Sequence, residues 1–527
     1  MTTHPSVLII GSGPTGATYA RLLLEQVPGV SVLMVDAGPV VTSPPGMNVK
    51  NLPSAEEQTT ARLASQGRAG ADGVSGIPAG VVVEGTITAR QGTHLIGRAA
   101  EGSPGMPAAA VATCVGGQGA HWTCATPRPR GGERIPFIDE AEWEEHVTAA
   151  EELLHVTKAA FGDSPQAAAI LDRVGETFAP DGIEVGPLPV AADPRPDGTL
   201  RWGGPDVVLA PVFDDPRFSL RADTLCVRLV RDGDRVVGAV LRDLLSGAEE
   251  QVGADAVVVA ADAIRSPRLL WASGVRPPAL GRYLTEHPLI FGVVALRDGV
   301  LPPPEEAATP ADPIRGVVSV RYDEERHPYH AQIMYSPVCP VPLPEDSPYR
   351  DNPAGYVGMG WGVRKWPRPE DRLLFDDERP DEDGLPSVRI AYELTEREHA
   401  ELDRARVQQA RAAAALGEFV PGTPVLMPSG SSLHYMGTVR MGPADDGTSV
   451  CDPWSRVWGV PGLVLAGNGL IPTANACNPT LTSVALAVRG AGALAAELGA
   501  AFGAEGAEAA EGGEGAEPGA DKAAEIN

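Results

Sequence analysis

The chain has 527 residues, of which 43% are hydrophobic and 21% charged, a composition typical of a soluble globular protein. Its length predicts two or three domains, or one large domain with insertions. The formal net charge of −27 argues against a nucleic-acid partner and against binding to an anionic membrane surface.

Two further features of the sequence bear on the location of the protein and on metal or disulfide sites: its targeting signals and its cysteine spacing. No apolar run reaches the roughly 18 residues that cross a bilayer. The N-terminus lacks a basic segment followed by an apolar stretch and a cleavage site, so we expect a cytoplasmic protein that does not act at a membrane. The six cysteines form no CxxC pair, and the sequence therefore predicts neither a metal site nor a disulfide framework.

The first recognisable pattern is a dinucleotide-binding fingerprint. Strand, glycine turn, helix and second strand follow one another at 7–10, 11–16, 17–26 and 30–35. Gly11 permits the tight turn, Gly13 admits a pyrophosphate, and Gly16 lets the helix pack on the sheet. The helix N-terminus then faces the pyrophosphate, and Asp36 is placed to accept hydrogen bonds from a ribose. This pattern does not distinguish FAD from NAD.

Residues 113–129, TCVGGQGAHWTCATPRP, form a glycine-rich loop. Its glycines allow the backbone to approach a flat or bulky ligand, because no large side chain stands in the way. The loop also carries an imidazole, an indole and hydroxyls at His121, Trp122, Thr123 and Thr126. On these residues alone, a ligand-binding loop and a tight turn around a buried histidine are equally open.

The remaining elements are predicted from hydrophobic periodicity. We expect the glycine- and proline-rich region 42–106 to wrap over the cofactor or form a lid, and residues from 499 onward to be a disordered acidic tail. Helices are predicted within 138–180 and at 264–273, 396–416 and 483–495. Strands are predicted at 207–213, 218–230, 236–242, 251–261 and 463–466, with alternating, mostly antiparallel strands in 288–400.

These elements predict an α/β fold, with a Rossmann-type nucleotide-binding domain and a second domain built on a mostly antiparallel sheet. The first domain is predicted to be discontinuous, comprising 1–135, 205–287 and 430–498. The second is predicted to comprise 136–204 and 288–429, with 499–527 as the tail.

Five ordered motifs together resemble the glucose–methanol–choline (GMC) flavoprotein oxidoreductases. They are the fingerprint at 11–16 and the segments HWTCATP, VVVAADAIRSPRLL, HYMGTVRMG and NACNPTLTSVALA. Within the family, HWTCATP, GRYLTEHP and NPTLT are similar to pyranose oxidases and to bacterial relatives that oxidise sugars and glycosides. The resemblance spans residues 11–490 and implies that FAD fills the first domain and that the second domain binds substrate.

The resemblance also implies the catalytic pair. Oxidation of an alcohol removes the hydroxyl proton while the carbon gives a hydride to flavin N5, and a neutral imidazole is the natural base. His434 matches the family's catalytic histidine, and Asn478 matches the asparagine that holds the same hydroxyl. Val439 stands where the family has another histidine, which leaves His434 as the only base in that segment.

Further residues are placed at the cofactor by the same resemblance. His121 matches the position at which pyranose oxidases attach histidine to the 8α carbon, but Ala120 replaces their usual threonine. Covalent and noncovalent FAD both remain open, and Ala120 favours noncovalent binding. The remaining matched cofactor residues are Gly116, Gly117, Trp122, Thr123, Cys124, Val227, Asn468, Pro479 and Thr480.

On the substrate side, the resemblance points to Gln332, Thr123 and Tyr435. Ser336 stands where fungal relatives carry an aspartate, and an arginine expected near Gly360 is missing. Without these charges we expect a glycoside, including C-linked or aryl glycosides, to be oxidised to a ketone at C3 or C2. The flavin would then be reoxidised by O2, giving H2O2, or by a quinone.

Two other functions are open. A choline or aliphatic-alcohol oxidase would share the fold, but the segment HWTCATP argues against this function. A non-catalytic flavin-binding protein is disfavoured because both His434 and Asn478 are present.

Overall fold

The computed structural model describes residues 4–66, 82–83, 86–87, 91–302 and 314–513. The α-helices in these residues are α1 (Pro14–Gln26), α2 (Ala55–Ala64), α3 (Glu140–Leu153), α4 (Pro165–Phe178), α5 (Pro205–Leu209), α6 (Asp262–Ala272), α7 (Glu396–Leu416) and α8 (Thr480–Gly513). The strands are β1 (Val7–Ile10), β2 (Val32–Val35), β3 (Val82–Val83), β4 (Thr86–Ile87), β5 (His94–Leu95), β6 (Ala110–Val111), β7 (Val156–Thr157), β8 (Val185–Pro187), β9 (Val190–Pro194), β10 (Leu200–Trp202), β11 (Phe218–Arg221), β12 (Thr224–Asp232), β13 (Arg235–Asp243), β14 (Glu249–Gly253), β15 (Ala256–Val259), β16 (Leu289–Leu296), β17 (Gly316–Val320), β18 (Tyr329–Ser336), β19 (Tyr356–Val363), β20 (Arg372–Pro380), β21 (Pro386–Ala391), β22 (Gly417–Phe419), β23 (Val425–Leu426) and β24 (Leu463–Leu465).

A five-stranded parallel sheet carries the fingerprint, in the order β11-β2-β1-β15-β24. Its central strands are continuous apolar runs and fully buried, because helix α1 contacts β1 and β2 while the antiparallel β12-β13-β14 sheet contacts β2 and β15. Helix α1 packs against α5 and α8 beside this sheet. The carboxyl ends of the strands meet at one edge, which is where ligands bind in sheets of this kind.

A seven-stranded sheet forms the second layer, in the order β22-β16-β19-β18-β17-β8 with β23 beside β16. All its pairings are antiparallel, as predicted. Helices α4 and α7 pack on it around a separate core that includes Trp361, Ile333 and Leu402. Its strands all come from the segments assigned to the substrate domain, although α3, assigned to the same domain, packs on α8 instead. The exact domain boundaries stay a prediction.

Some of the predicted helices and strands are confirmed, and others are wrong. The helix at 396–416, the two helices within 138–180 and the β12–β13 hairpin are confirmed. The predicted strand at 207–213 is wrong, because Pro205 follows Gly204 as the first residue of helix α5. The predicted strands at 218–230 and 251–261 each divide between the parallel sheet and the three-stranded antiparallel sheet β12-β13-β14. Within 288–400, strand β19 has little alternating pattern of its own, because glycines at 358, 360 and 362 interrupt it.

The last helix, α8, differs from the prediction in length. It continues to Gly513, beyond the predicted end at 495 and into the predicted disordered tail, because the alanines and glutamates of that stretch favour helix. Residues 514–527 of the tail lie outside the described residues, as do 67–81, 84–85 and 88–90 of the predicted lid.

Helix α8 also corrects the expectation about apolar runs. Its Thr480–Ala501 stretch of 22 residues, with a mean hydropathy of 1.4, is long and apolar enough to cross a membrane by length and composition. However, 56% of that window is buried inside the protein. Arg489 within it donates to Glu142 of α3 at 2.8 Å. We therefore interpret α8 as a core helix.

Candidate active site

A cavity of about 300 Å³ opens at the carboxyl edge of the parallel sheet. Its walls come from the ends of β1, β2, β15 and β24, from the glycine-rich loop, and from the first turn of α8. The predicted site residues that line it are Gly11, Gly13, Asp36, Gly117, His121, Trp122, Thr123, His434, Tyr435, Asn468, Asn478 and Thr480. The predicted residues found outside its lining are Gly16, Gly116, Cys124, Val227, Gln332 and Pro479.

The glycines of the fingerprint have distinct roles in the backbone. Gly11 has φ +108°, and a Cβ there would lie 2.4 Å from the Ala260 carbonyl oxygen. A Cβ at Gly16 would lie 2.1 Å from the Gly11 carbonyl oxygen, so this glycine permits close packing of helix on strand. A Cβ at Gly13 would meet only the Gly116 carbonyl oxygen, at 3.9 Å. Gly13 therefore leaves open space towards the cavity.

Asp36 sits at the end of β2 in a network of donors. Its carboxylate accepts from the Ser12 hydroxyl at 2.6 Å and from the Gly38 N–H at 2.9 Å. Ser12 in turn accepts the Gly116 N–H at 2.8 Å, which ties the fingerprint to the glycine-rich loop. Burial raises the pKa of Asp36, while these hydrogen bonds oppose the rise.

The glycine-rich loop runs along the cavity wall, and its side chains divide between two directions. Trp122 donates its indole N–H to the Gly203 carbonyl at 2.7 Å, and the Cys124 thiol donates to the same carbonyl at 3.3 Å. Cys124 therefore anchors the loop from behind. His121 faces the cavity, and its Nε2 lies 3.7 Å from the Cys114 Sγ.

His434 lines the cavity and contacts a second histidine that sequence analysis did not assign. The Nδ1 atom of His434 forms a short hydrogen bond with the Nε2 atom of His287, and the two rings are nearly parallel at 14°. Because Nδ1 is engaged, Nε2 is the ring nitrogen of His434 left for a ligand. Burial lowers the pKa of His434 to about 4, so its imidazole is neutral at physiological pH.

Asn478 lines the same cavity and is held by Gln332. The Gln332 Nε2 group donates a short hydrogen bond to the Asn478 Oδ1 atom. The expected substrate residue Gln332 thus holds the Asn478 side chain from β18, outside the lining. With Oδ1 occupied, the Nδ2 hydrogens of Asn478 remain as donors.

A buried carboxylate fixes the loop that carries Asn478. The fully buried Glu133 accepts from the backbone N–H groups of Ala476 at 2.8 Å and Cys477 at 3.1 Å. It also accepts from the His330 Nε2 at 2.9 Å. Donor atoms of Glu133, His330 and Cys477 lie within 4.8 Å of one another, close enough to hold a metal ion. These hydrogen bonds already account for the grouping, so we assign it a structural role.

The hydroxyls of Tyr435, an expected substrate residue, and of Ser336, which replaces an aspartate of fungal relatives, are both engaged within the protein. The Tyr435 hydroxyl donates to the Gly430 carbonyl at 2.9 Å and accepts the Ala110 N–H at 2.8 Å. Only the rest of that side chain is left to face a ligand. The Ser336 hydroxyl donates to the Val338 carbonyl at 2.7 Å, within its own turn.

Comparison with known proteins places this site in a family. Models of GMC oxidoreductases match residues 192–289 and 368–487. A C-glycoside 3-oxidase of Arthrobacter globiformis is 45% identical over 501 residues, covering 93% of this chain and 95% of its own. The chain belongs to the GMC oxidoreductases.

Two other comparisons are consistent with this family assignment. A pyranose 2-oxidase of Tricholoma matsutake is 29% identical over 544 residues, covering 94% of each chain. Among solved structures, pyridoxine 4-oxidase from Mesorbium loti superposes with a TM-score of 0.62 at 18% identity, covering 92% of this chain and 98% of its own. At that identity the superposition shows the shared fold alone.

The family implies FAD, and the cavity of this GMC oxidoreductase fits it. The backbone is open towards the cavity at Gly13, Gly117 and Gly467, where a Cβ would have no protein atom closer than 3.9 Å. Helix α1 begins there without a side-chain cap, so its first N–H groups are available to a pyrophosphate. Helix α8 begins at Thr480, on the same cavity, and presents a second positive helix end.

A single methyl group should test this fit. Gly13 has φ −64°, which alanine adopts freely, and open space beside it. We expect Gly13→Ala to leave the stability of the FAD-free protein unchanged and to weaken FAD binding by about 1–3 kcal/mol, because the methyl group fills the cradle. Fluorescence titration with FAD measures this. Gly175→Ala is the matched control, because a Cβ added at this position on α4 would have no atom within 4 Å. It should not change FAD affinity.

The GMC oxidoreductase also uses residues that the sequence analysis missed. Val227 lies outside the lining, at a bulge of β12 between Cys226 and Arg228, whereas the preceding Cys226 lines the cavity. Ser12 carries the link between the fingerprint and the loop. The segment GRYLTEHP contains His287, but no local signal ties that histidine to a residue 147 positions away.

Proposed function

We propose that this GMC oxidoreductase oxidises a secondary ring hydroxyl of a sugar or glycoside, including C-glycosides, to a ketone at C3 or C2. The observation that carries the proposal is the pair His434 and Asn478 on one cavity wall. The identity to a C-glycoside 3-oxidase supports the substrate class.

The chain's own groups divide the work at the hydroxyl. His434 takes its proton through Nε2, since Nδ1 is engaged by His287. Asn478 donates an amide hydrogen to the same oxygen and fixes its position. FAD, when bound, supplies the acceptor for the hydride.

Two positions of the antiparallel sheet, where charged sugar contacts were expected from the resemblance, support a glycoside over a free sugar. Ser336 turns its hydroxyl into its own loop, and Gly360 pairs with Gln332 across the sheet without a side chain. Neither position offers a charge that would bind a small sugar. We further propose that O2, giving H2O2, or a quinone reoxidises the enzyme, and that it acts in the cytoplasm.

Anaerobic mixing with a panel of alcohols tests the proposal. We expect a C-glycoside and an aryl glycoside to bleach the flavin absorbance faster than glucose does at equal concentration. Bleaching by choline or an aliphatic alcohol alone would contradict it, because it would place the substrate outside the sugars. A flavin that no alcohol bleaches would favour a non-catalytic protein.

The attachment of FAD has its own test. We propose noncovalent binding, because Ala120 provides no hydroxyl to hold His121 and the Cys114 Sγ already lies 3.7 Å from the His121 Nε2. Acid precipitation should release the yellow colour to the supernatant. An intact mass heavier than the polypeptide by one FAD, lost in His121→Ala, would prove this wrong.

The pH dependence of flavin reduction follows from the depressed pKa of His434. The base form is neutral imidazole, which is present above the pKa of about 4 and lost below it. We expect the rate constant of flavin reduction, divided by KM, to be constant from neutral pH down to about 5 and to fall as the pH drops through about 4. Stopped-flow reduction at a series of pH values measures this, and a fall centred near 6.5, the ordinary histidine pKa, would contradict it.

A further inference from the structure

His287 is buried directly behind the catalytic base. Only 5% of its surface is exposed, and its Nε2 atom meets the His434 Nδ1 atom at hydrogen-bond distance. The ring centroids are 4.7 Å apart. A contact between two ring nitrogens needs one hydrogen between them, so the tautomers of the two histidines are locked to each other.

Two arrangements are possible for neutral rings. If His434 carries its hydrogen on Nδ1, it donates to a bare Nε2 of His287, and its own Nε2 is a free base. If His287 donates instead, the hydrogen of His434 lies on Nε2, and that atom cannot accept a proton from a substrate. The choice depends on which nitrogen of His287 carries its hydrogen.

The surroundings of the other His287 nitrogen, Nδ1, favour one of these arrangements. A Cβ placed on Gly362 of β19 would lie 2.6 Å from the His287 Nδ1 atom and 3.0 Å from the Ala476 carbonyl oxygen. The Nδ1 atom makes no hydrogen bond with a described residue, but it borders the same small space as this carbonyl oxygen, whose partial negative charge favours an N–H over a bare nitrogen. A hydrogen on Nδ1 leaves the Nε2 atom of His287 bare.

We propose that His287 is a positioning residue that holds His434 in the Nδ1–H tautomer, with Nε2 free to take the substrate proton. Its bare Nε2 also accepts the His434 N–H when the latter ring becomes charged, which stabilises the imidazolium. The proposal rests on the proposed function, in which His434 is the base.

The charged and titratable groups around His287 agree with a neutral ring. Burial, His434 and His330 all lower the pKa of His287. The His330 ring donates to Glu133, and the adjacent Glu286 is turned away, accepting from the Gly430 N–H at 2.7 Å and the Ser432 hydroxyl at 2.7 Å. No described hydrogen bond supplies His287 with a carboxylate that would hold it charged.

Three variants test the proposal by kinetics. His287→Leu removes the acceptor, and we expect the first-order rate of anaerobic flavin reduction to fall roughly 10- to 100-fold with KM little changed. His287→Gln places an amide oxygen where Nε2 lies and should recover most of that loss. Gly362→Ala should reproduce part of it, because the methyl group pushes on the Nδ1 atom. Bound FAD and an unchanged melting temperature show that each variant folds.

NMR of isotope-labelled histidines tests the tautomer without any turnover. The His434 signal, identified by its loss in His434→Ala, should report a hydrogen on Nδ1 in the wild type and in His287→Gln, but a mixture of tautomers in His287→Leu. A wild-type hydrogen on Nε2, or equal reduction rates in the leucine and wild-type proteins, would overturn the proposal. If no glycoside reduces the flavin, the proposed function fails, whereas the NMR result still decides the role of His287.

Discussion

His434→Ala is expected to leave FAD bound and to slow flavin reduction by a glycoside roughly 10²–10⁴-fold, the usual contribution of a general base. The side chain lines the cavity, and its neutral imidazole contributes a proton acceptor that alanine lacks. Anaerobic stopped-flow absorbance measures the loss, and FAD content measured after gel filtration shows that the cofactor site survives.

The control for this variant is His399→Ala, which removes an exposed imidazole from α7. It should reduce at the wild-type rate. Added imidazole should restore part of the activity of His434→Ala by filling the space of the lost ring. A His434→Ala rate close to wild type would remove this residue from the mechanism.

Asn478→Ala should show the second largest loss, on the order of 10²-fold, because the substrate oxygen loses its positioning donor while the base remains. Asn478→Asp keeps an oxygen for Gln332 but removes the Nδ2 donor, so we expect it to be nearly as slow. Stopped-flow reduction of both variants tests donation directly. An aspartate variant with the wild-type rate would show that Asn478 does not act as a donor.

The role of Gln332 follows from the same pair. Gln332→Ala frees the Asn478 Oδ1 atom, and we expect a smaller loss than in Asn478→Ala. Because Gln332 acts through Asn478, the double variant should be no slower than Asn478→Ala alone. Losses that multiply would mean that Gln332 contacts the substrate independently.

Elements with strong local signals were predictable from the sequence. Helix α7 starts after Thr395, which forms a reciprocal capping box with Glu398, and its predicted bounds match the structure. The fingerprint likewise combines strand, turn and helix within a few residues. Helix α5 was not predictable in this way, since its apolar residues have no helical period and its burial against α1 decides the conformation.

The site shows the same division. His434 and Asn478 lie in motifs that are recognisable from the sequence. Their partners His287 and Gln332 also lie in segments that resemble the family, but no local signal pairs them with residues 147 and 146 positions away along the chain. Only the packing of the two sheets brings each pair together, and no periodicity or spacing encodes that packing.

Strand β18 of the seven-stranded antiparallel sheet supports the loop that carries Asn478 at two points. Gln332 holds the Asn478 side chain, and His330, two residues earlier on the same face, holds Glu133, which binds the backbone before Asn478. An exchange of this sheet between relatives, intended to alter which sugar is accepted, would therefore also alter the alignment of the reacting hydroxyl. Under the proposed function, we expect chimeras that transplant this sheet to keep turnover only when they carry both side chains with it.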